Sequence, residues 1–223
     1  MMLIKQSNLD ILVQLQANNN REWFADNKKQ FVAEENHVKA FFKTVYNDLN
    51  AIDSIEKIKL YRIYRDVRFS KNKVPYKSNF SVGYSRTKPL LRGGYYLQIA
   101  NNNTFIGGGF WEPNKSDLLR IRKELELDAS ELRELINEFD FIKMFESLKG
   151  EELKSAPRDF DKNHPNIDLI RKKQFLVIRN FTNEEVLSPN FKNEVVATFK
   201  AMRPFFNFMS DVLGTDLNGV SLY

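Results

Sequence analysis

The spacing of apolar residues predicts long helices near both ends of the chain. One apolar stripe begins after Asn20, and its spacings of seven, seven, four, three and four residues predict an amphipathic helix of about seven turns. The members of this stripe are Phe24, Phe31, Val38, Phe42, Val45 and Leu49. A second stripe from Phe191 to Leu213 predicts another long helix, which Pro204 should kink or divide in two.

Alternation with a period of two predicts strands in the middle of the chain. Residues 58–65 alternate as a strand would, and residues 80–85 alternate apolar and small side chains in the same way. Residues 95–100 and 104–111 flank Asn101-Asn102-Asn103, which predicts a hairpin with a short polar loop. An antiparallel cluster of strands is therefore expected between the helical segments.

The order of these elements predicts the fold class. Phe175 to Ile178 is apolar on both faces, which is typical of a central strand. Helices, then antiparallel strands, then mixed elements favour an α+β fold over a doubly wound one. No repeat, low-complexity tract or linker divides residues 1–223. We therefore expect a single domain with an antiparallel-rich mixed sheet packed by several helices.

Composition excludes several classes of protein. The chain has no cysteine, which rules out disulfides, thiolate catalysis and cysteine-held metals. No apolar signal segment follows Met1, and no apolar run is long enough to span a bilayer. The sequence therefore predicts a soluble cytoplasmic protein with no membrane partner. The 19 phenylalanines are interpreted as a Phe-rich core.

Basic charge is concentrated in one segment. Residues 59–77 carry seven basic side chains and one acid, a net charge of +6, while the whole chain carries +5. Mixed Arg and Lys side chains with hydroxyl donors suit an anion. The candidate ligand-binding residues in this segment are Arg62, Arg65, Arg68, Ser70, Lys71 and Lys77. The alternative is a solvated basic edge whose arginines pair with acids elsewhere.

Two side chains within this segment are candidates for chemistry. Asp66 could act as a base, but the surrounding positive charge lowers the pKa of its carboxyl group and favours a structural pairing with a neighbouring arginine. Ser70 could donate to a phosphate, or act as a nucleophile if a base lies nearby. The alternative for Ser70 is a hydroxyl that caps the loop.

The predicted hairpin supplies a second candidate surface. Tyr96 and Gln98 share one face of their strand, and Gly107-Gly108-Gly109 lies in the next strand, ahead of Trp111. A glycine floor beside aromatic walls would let a flat ligand lie against the sheet. The alternative is a helix packed on that floor. The Lys-Ser/Thr signature of a phosphate-binding loop is absent.

A long loop carries the remaining candidates. His164 follows Asp161 between residues 153 and 165, so an acid–base pair of these two is a hypothesis. The alternative is that Asp161 caps a turn. With one candidate histidine and no cysteine, no metal site is predicted. No cofactor can be named from these residues.

Several segments occur in the same order as in a known family of proteins. They are Asn20–Phe24, Arg65–Lys77, Gly94–Gln98, Gly107–Pro113 and, with two residues between Asp161 and His164, the Asp-His-Pro turn at 161–165. In these segments the chain resembles the domain of unknown function 2461, over roughly residues 7 to 215. The resemblance implies a single α+β domain, and it implies no activity.

Two functions are compatible with these observations. The first is a pocket for a small anionic ligand bearing phosphate or carboxylate; if it is an enzyme, a hydrolase or transferase, His164 is the candidate acid–base group. The alternative is a module that binds the nucleic-acid backbone through residues 59–77, with Tyr64, Phe69 and Tyr76 stacking on bases. A protein that docks partners is a third, unspecific option. The sequence leaves the oligomeric state open.

Overall fold

Two helices open the chain in the computed structural model, which describes residues 2–223. They are α1 (Gln6–Ala17) and α2 (Arg21–Asn50). The Asn20 side chain accepts a hydrogen bond from the Trp23 amide and caps α2. All six residues of the predicted stripe are buried along α2. The predicted long helix near the N-terminus is therefore confirmed.

Five strands form one sheet in which sequence order and spatial order agree. They are β1 (Ile55–Tyr61), β2 (Phe80–Arg86), β3 (Gly94–Ile99), β4 (Thr104–Phe110) and β5 (Phe175–Phe181). Each strand pairs antiparallel with the next. The predicted hairpin at Asn101-Asn102-Asn103 joins β3 to β4, as expected. The fold is α+β, and its sheet is antiparallel throughout.

The first strand differs from its prediction. β1 begins at Ile55 and ends at Tyr61, so the predicted strand at 58–65 is placed too late in the chain. Residues 62–77 instead form a separate narrow extension of the β1–β2 hairpin, which we call the basic arm. Its two sides are joined by hydrogen bonds from Arg65 N–H to Pro75 O at 2.9 Å and from Lys77 N–H to Ile63 O at 2.7 Å.

The prediction of a central strand at Phe175–Ile178 is wrong, because β5 lies at the edge of the sheet. Its outer edge is nevertheless covered. Lys149 N–H donates to Leu176 O at 2.7 Å, and Leu176 N–H donates to Lys149 O at 3.1 Å. This covering segment supplies the backbone partners that an exposed edge strand would lack, and Phe175, Leu176 and Val177 are buried as in a central strand.

The other helices follow the hairpins. They are α3 (Lys115–Leu127), α4 (Ser130–Asn137), α5 (Phe139–Phe145), α6 (Ile167–Ile170), α7 (Asn183–Leu187), α8 (Phe191–Ala201) and α9 (Arg203–Gly214). The predicted C-terminal helix is divided into α8 and α9 at Met202, with Pro204 in the first turn of α9. In the described residues, 2–223, no helix has the length and apolarity that a membrane span requires.

The helices α2, α8 and α9 cover one face of the sheet, which we call the closed face. Tyr84 donates its hydroxyl to Phe42 O of α2 at 2.9 Å. The Tyr95 ring lies 4.9 Å from the rings of both Phe199 in α8 and Phe206 in α9. The side chains that alternate with Tyr84 and Tyr95 point to the opposite face, which we call the open face.

Candidate ligand-binding site

Strand register places chosen side chains in rows across the open face. Lys59 pairs with Gly83, Gly83 with Tyr96, and Tyr96 with Gly107. Because cross-strand partners point to the same face of a sheet, these four residues form one row. The adjacent row consists of Tyr61, Ser81, Gln98 and Phe105. Bulky and small residues therefore alternate across the first row, whereas the second row has one small residue, Ser81.

The three glycines of β4 have three different surroundings. A Cβ on Gly108 would lie 2.5 Å from Met202 Sδ, so the closed-face helices pack directly on this residue. Gly109 has φ +128°, and its Cβ would lie 2.1 Å from Phe175 O. A Cβ on Gly107 would meet nothing nearer than the Phe105 ring at 3.7 Å. The predicted helix packing on the glycines is therefore confirmed at Gly108, whereas Gly107 lies on the open face, and ligand binding there stays a prediction.

A cavity of about 490 Å³ occupies the open face over β1–β4. This volume lies within the usual range for small-molecule sites. Tyr61, Tyr96, Phe105 and Trp111 line it, above a floor of glycines and serines. The Tyr96 ring is central, 5.8 Å from the Tyr61 ring and 5.5 Å from the Phe105 ring. The cavity therefore has aromatic walls and a floor of small residues.

Two lysines give this cavity a positive end. Lys59 Nζ lies 4.9 Å and Lys77 Nζ 5.6 Å from the centre of the Tyr61 ring. Within residues 2–223, neither lysine forms an ion pair and no carboxylate lines the cavity. The charge is therefore free to attract an anion.

The positive end continues into a second cavity along the basic arm. This cavity has a volume of about 600 Å³ and shares Lys59, Tyr61 and Lys77 with the first. Arg62 and Arg65 line it as well. The two cavities thus meet at the lysine pair, and the arm extends the basic surface away from the sheet.

Gln98 supports the wall instead of lining it. Its side chain accepts a hydrogen bond from the Tyr96 hydroxyl at 3.2 Å and donates to Asn103 O at 3.0 Å. Burial raises the pKa of Tyr96, and a hydrogen bond with Ser81 partly offsets this rise. Tyr96 is therefore a neutral hydroxyl at physiological pH, held in place by its neighbours.

The charged side chains Asp66 and Arg68 near the tip of the basic arm bind each other. Arg68 Nη2 lies 2.6 Å from Asp66 Oδ2, and Arg68 Nε donates to Asp66 Oδ1 at 3.0 Å. These hydrogen bonds lower the pKa of the Asp66 carboxyl group. Asp66 is thus a structural partner of Arg68, in line with the alternative given above, and is poorly suited to accept a proton.

Ser70, Lys71 and Arg68 line neither cavity. Ser70 N–H closes a turn onto Val67 O at 3.4 Å, and Lys71 is exposed. Of the candidates in residues 59–77, Lys77 lines both cavities, and Arg62, Arg65 and Asp66 line the second.

The stacking residues predicted for nucleic acid do not act as one set. Phe69 is 96% exposed at the tip of the arm, and Tyr64 is also exposed. Tyr76 is only 6% exposed, and its ring stacks on Phe24 at 4.4 Å. The expectation that Tyr76 stacks on bases is therefore wrong, because its ring belongs to the core.

His164 and Asp161 lie outside both cavities. The Asp161 carboxylate accepts the Asn163 amide hydrogen at 2.9 Å, and the Asp161 carbonyl accepts that of His164 at 3.2 Å. His164 Nδ1 accepts a hydrogen bond from Asn166 N–H at 3.1 Å. Both side chains therefore shape a turn, and the structure does not bring them to Tyr96 and Trp111.

A buried ion pair on the closed face was missed by the sequence analysis. Arg86 is 1% exposed, and its Nε lies 2.8 Å from Asp53 Oδ2. The Tyr95 hydroxyl donates to the same carboxylate, and burial raises the pKa of Tyr95. The available signal was that Arg86 continues the buried alternation of Phe80, Val82 and Tyr84, where a charge needs a partner.

A third cavity, of about 770 Å³, borders this ion pair. Arg86 Nη2 donates to Asn207 Oδ1 at 2.7 Å, and Arg86 Nη1 donates to Arg92 O at 3.2 Å. The guanidinium is therefore occupied by protein groups and links the sheet to α9. In the described part of the chain, no cluster of three or more His, Asp or Glu side chains could hold a metal ion.

Comparison with known proteins identifies the family. Neither the curated proteins nor the solved structures gave a match. The model of the family described as "Conserved hypothetical protein (DUF2461)" matches residues 7–208 of the 223. This match includes β1–β5, the basic arm and both cavities that meet at Lys59 and Lys77. The chain therefore belongs to the DUF2461 family of conserved hypothetical proteins.

Proposed function

We propose that the open-face cavity binds a small anionic ligand that bears a phosphate or carboxylate group. The observation that carries this proposal is the pair of lysines at one end of an aromatic-walled cavity without a carboxylate. Lys59 and Lys77 would hold the anion by charge, since a lysine ammonium group binds phosphate as a point charge. The aromatic walls would bury the rest of the ligand.

Binding is better supported than catalysis. A hydrolase or transferase at this cavity would need an acid–base group from the lysines or tyrosines, because His164 and Asp161 lie elsewhere. Tyr96 has a raised pKa and holds its proton at neutral pH. The proposal is therefore a ligand-binding protein, with hydrolase or transferase activity as an extension that ligand identification would test.

A thermal-shift panel of phosphate, sugar phosphates, nucleotides and dicarboxylates tests the proposal. A ligand at about one hundred times its dissociation constant stabilises by roughly 2.7 kcal/mol. Each kcal/mol raises the midpoint of a chain this size by about 2–4 °C. The shift should disappear in Lys77→Ala. Lys162→Ala removes an exposed lysine from the distant loop and should retain the shift.

Two results would contradict this proposal. One is a panel in which no anion raises the midpoint of the wild-type protein. The other is an equal loss of the shift in Lys77→Ala and Lys162→Ala, because the anion would then be responding to overall charge and not to this cavity.

The alternative function is binding to the nucleic-acid backbone. It is favoured by the continuation of the positive end along Arg62 and Arg65 to the exposed Phe69. Each phosphate neutralised on a single strand contributes a slope of about −0.7 to log K against log salt. An oligonucleotide whose affinity falls steeply with salt, without a shift from any small anion, would replace the first proposal with this one.

A further inference from the structure

We infer that the ligand carries a flat heteroaromatic ring as well as its anionic group, so that its chemical class is a nucleoside phosphate. This inference rests on the proposed function and narrows it. Three features of the open face lead to it: the cavity extends from β1 to β4, only one of its ends carries lysines, and glycines form the floor at the other end.

The lysine end and the Trp111 end of the cavity are separated by most of the sheet. Lys59 is on β1 and Lys77 is at the base of the arm, whereas Trp111 directly follows β4. Adjacent strands lie about 4.7–4.9 Å apart, so β1 and β4 are separated by roughly 14 Å. A bare phosphate or a dicarboxylate would occupy only the lysine end. A ligand that fills the cavity must extend from a charged group to an apolar one.

The end away from the lysines is shaped for a ring. Gly107 and Gly94 line this part of the cavity, with Tyr96 beside them and Trp111 at the border. Gly107 has no side chain of its own, and the nearest group to the position of its Cβ is the Phe105 ring at 3.7 Å, so a flat group can lie against the strand beside that ring. Trp111 is 56% exposed, and a stacked ring would cover its face.

The side chains that line the cavity fit cationic ligands and neutral sugars less well than they fit a nucleoside phosphate. A cationic ligand would face Lys59 and Lys77 without a carboxylate to bind it. A neutral sugar could bond to Ser81, Ser85 and the tyrosines, but it would leave Lys59 and Lys77 without an anionic partner. In a nucleoside phosphate, the base would lie at the Trp111 end, the ribose beside the serines, and the phosphate at the lysines.

Calorimetric titration of the full chain with three probes tests the inference. The probes are adenosine 5′-monophosphate, adenosine and ribose 5-phosphate. We expect the monophosphate to bind at least about tenfold more tightly than either fragment, because a stacked base and a phosphate each contribute about a factor of ten or more. Both contributions should then be traceable to separate side chains.

Two substitutions with matched controls separate the ends of the cavity. Trp111→Ala should weaken adenosine monophosphate and adenosine about tenfold and leave ribose 5-phosphate unchanged. Lys77→Ala should weaken adenosine monophosphate and ribose 5-phosphate and leave adenosine unchanged. Phe139→Ala removes an exposed aromatic ring of α5, and Lys162→Ala removes an exposed lysine; both should bind like the wild type.

A third variant tests the floor directly. Gly107→Val adds a side chain to the open face at a position where a Cβ meets only ordinary contacts. It should keep the thermal midpoint of the wild type and bind adenosine monophosphate at least about tenfold more weakly, because the side chain occupies the space of the ring. Wild-type binding by this variant would overturn the placement of the ring.

The failure of this inference differs from the failure of the proposed function. If ribose 5-phosphate binds as tightly as adenosine monophosphate and Trp111→Ala changes neither, the ring is refuted and the anion site stands. If no anionic probe binds, both fail. An eight-nucleotide oligoadenylate distinguishes a free nucleotide from a strand. If the site binds a nucleic-acid strand, the oligoadenylate should bind far more tightly than adenosine monophosphate at low salt and lose that advantage as salt rises.

Discussion

At the scale of single residues, the three glycines of β4 predict three different responses to the same substitution. Gly107→Ala should leave the free energy of unfolding unchanged or raise it by about 0.4–1 kcal/mol, because alanine restricts the unfolded chain. Gly108→Ala should lower it by about 1–3 kcal/mol, since Met202 and Phe206 must move. Gly109→Ala should lower it most, because a backbone oxygen blocks the methyl group and φ is positive.

Urea unfolding of the three variants measures these differences. Equal effects at the three positions would contradict this prediction, because only the restriction of the unfolded chain is common to all three substitutions. The opposite faces of β4 would then have no part in the result.

The buried ion pair predicts an unequal effect of two similar substitutions. Asp53→Asn leaves the Arg86 charge buried without its partner and should cost about 3–5 kcal/mol. Asp168→Asn breaks an exposed pair with Arg133 and should cost less than about 1 kcal/mol. Chemical denaturation of both variants provides the comparison. Similar losses would mean that Arg86 reaches another partner or water.

At the scale of elements, the basic arm is held at its base by one amide side chain. Asn19 Nδ2 donates to Tyr76 O at 3.0 Å, and Tyr76 N–H donates to Asn19 Oδ1 at 3.1 Å. Asn19→Ala removes both bonds, each contributing about 1 kcal/mol, so exchange of the Arg65 and Lys77 amide hydrogens should accelerate by about 30-fold.

Hydrogen exchange followed by NMR measures this effect. Asn18→Ala is the matched control, because the Asn18 side chain donates to Gln14 O of α1 and makes no hydrogen bond to the arm. Exchange in the arm that is equally fast in both variants would contradict a holding role for Asn19.

The tip of the arm should respond to acid. Hydrogen bonds from Arg68 lower the pKa of Asp66 below its ordinary 3.8, so the ion pair stabilises the tip above that pH. As the pH falls through the lowered pKa, Asp66 gains a proton and this stabilisation is lost. Carboxyl chemical shifts should show Asp66 titrating below 3.8 in the wild type and closer to 3.8 in Arg68→Ala. An unchanged titration in that variant would exclude Arg68 as the cause.

The elements that could be predicted from the sequence are those whose signal lies within a short stretch of the chain. The stripe of α2, the hairpin at 101–103 and the break at Met202 follow from periodicity, turn residues and Pro204. The edge position of β5 was not predictable, because Phe175, Leu176 and Val177 are buried on both faces as they would be in a central strand. Lys59 and Tyr61 were not singled out for the cavity, because alternation identifies two faces but not which one a helix covers.

At the scale of the whole molecule, the two faces of the sheet serve different purposes. The closed face carries the core, with helices from both ends of the chain packed on Tyr84 and Tyr95. The open face carries the cavity and the lysines, and the arm extends its charge. Substitutions on the closed face should therefore alter stability, and substitutions on the open face should alter binding.

The wide separation in sequence between the meander and its helical cover has a consequence during synthesis. β4 ends at Phe110, and α8 does not begin until Phe191. At about 5–20 residues per second, the ribosome needs roughly 4–16 seconds to make the intervening residues. The β1–β4 meander can form by local pairing in that interval and pack on α2, while the part of its apolar face that α8 and α9 cover is still bare. The nascent chain therefore passes through a stage that favours chaperone capture, which ends only when α8 and α9 have been made.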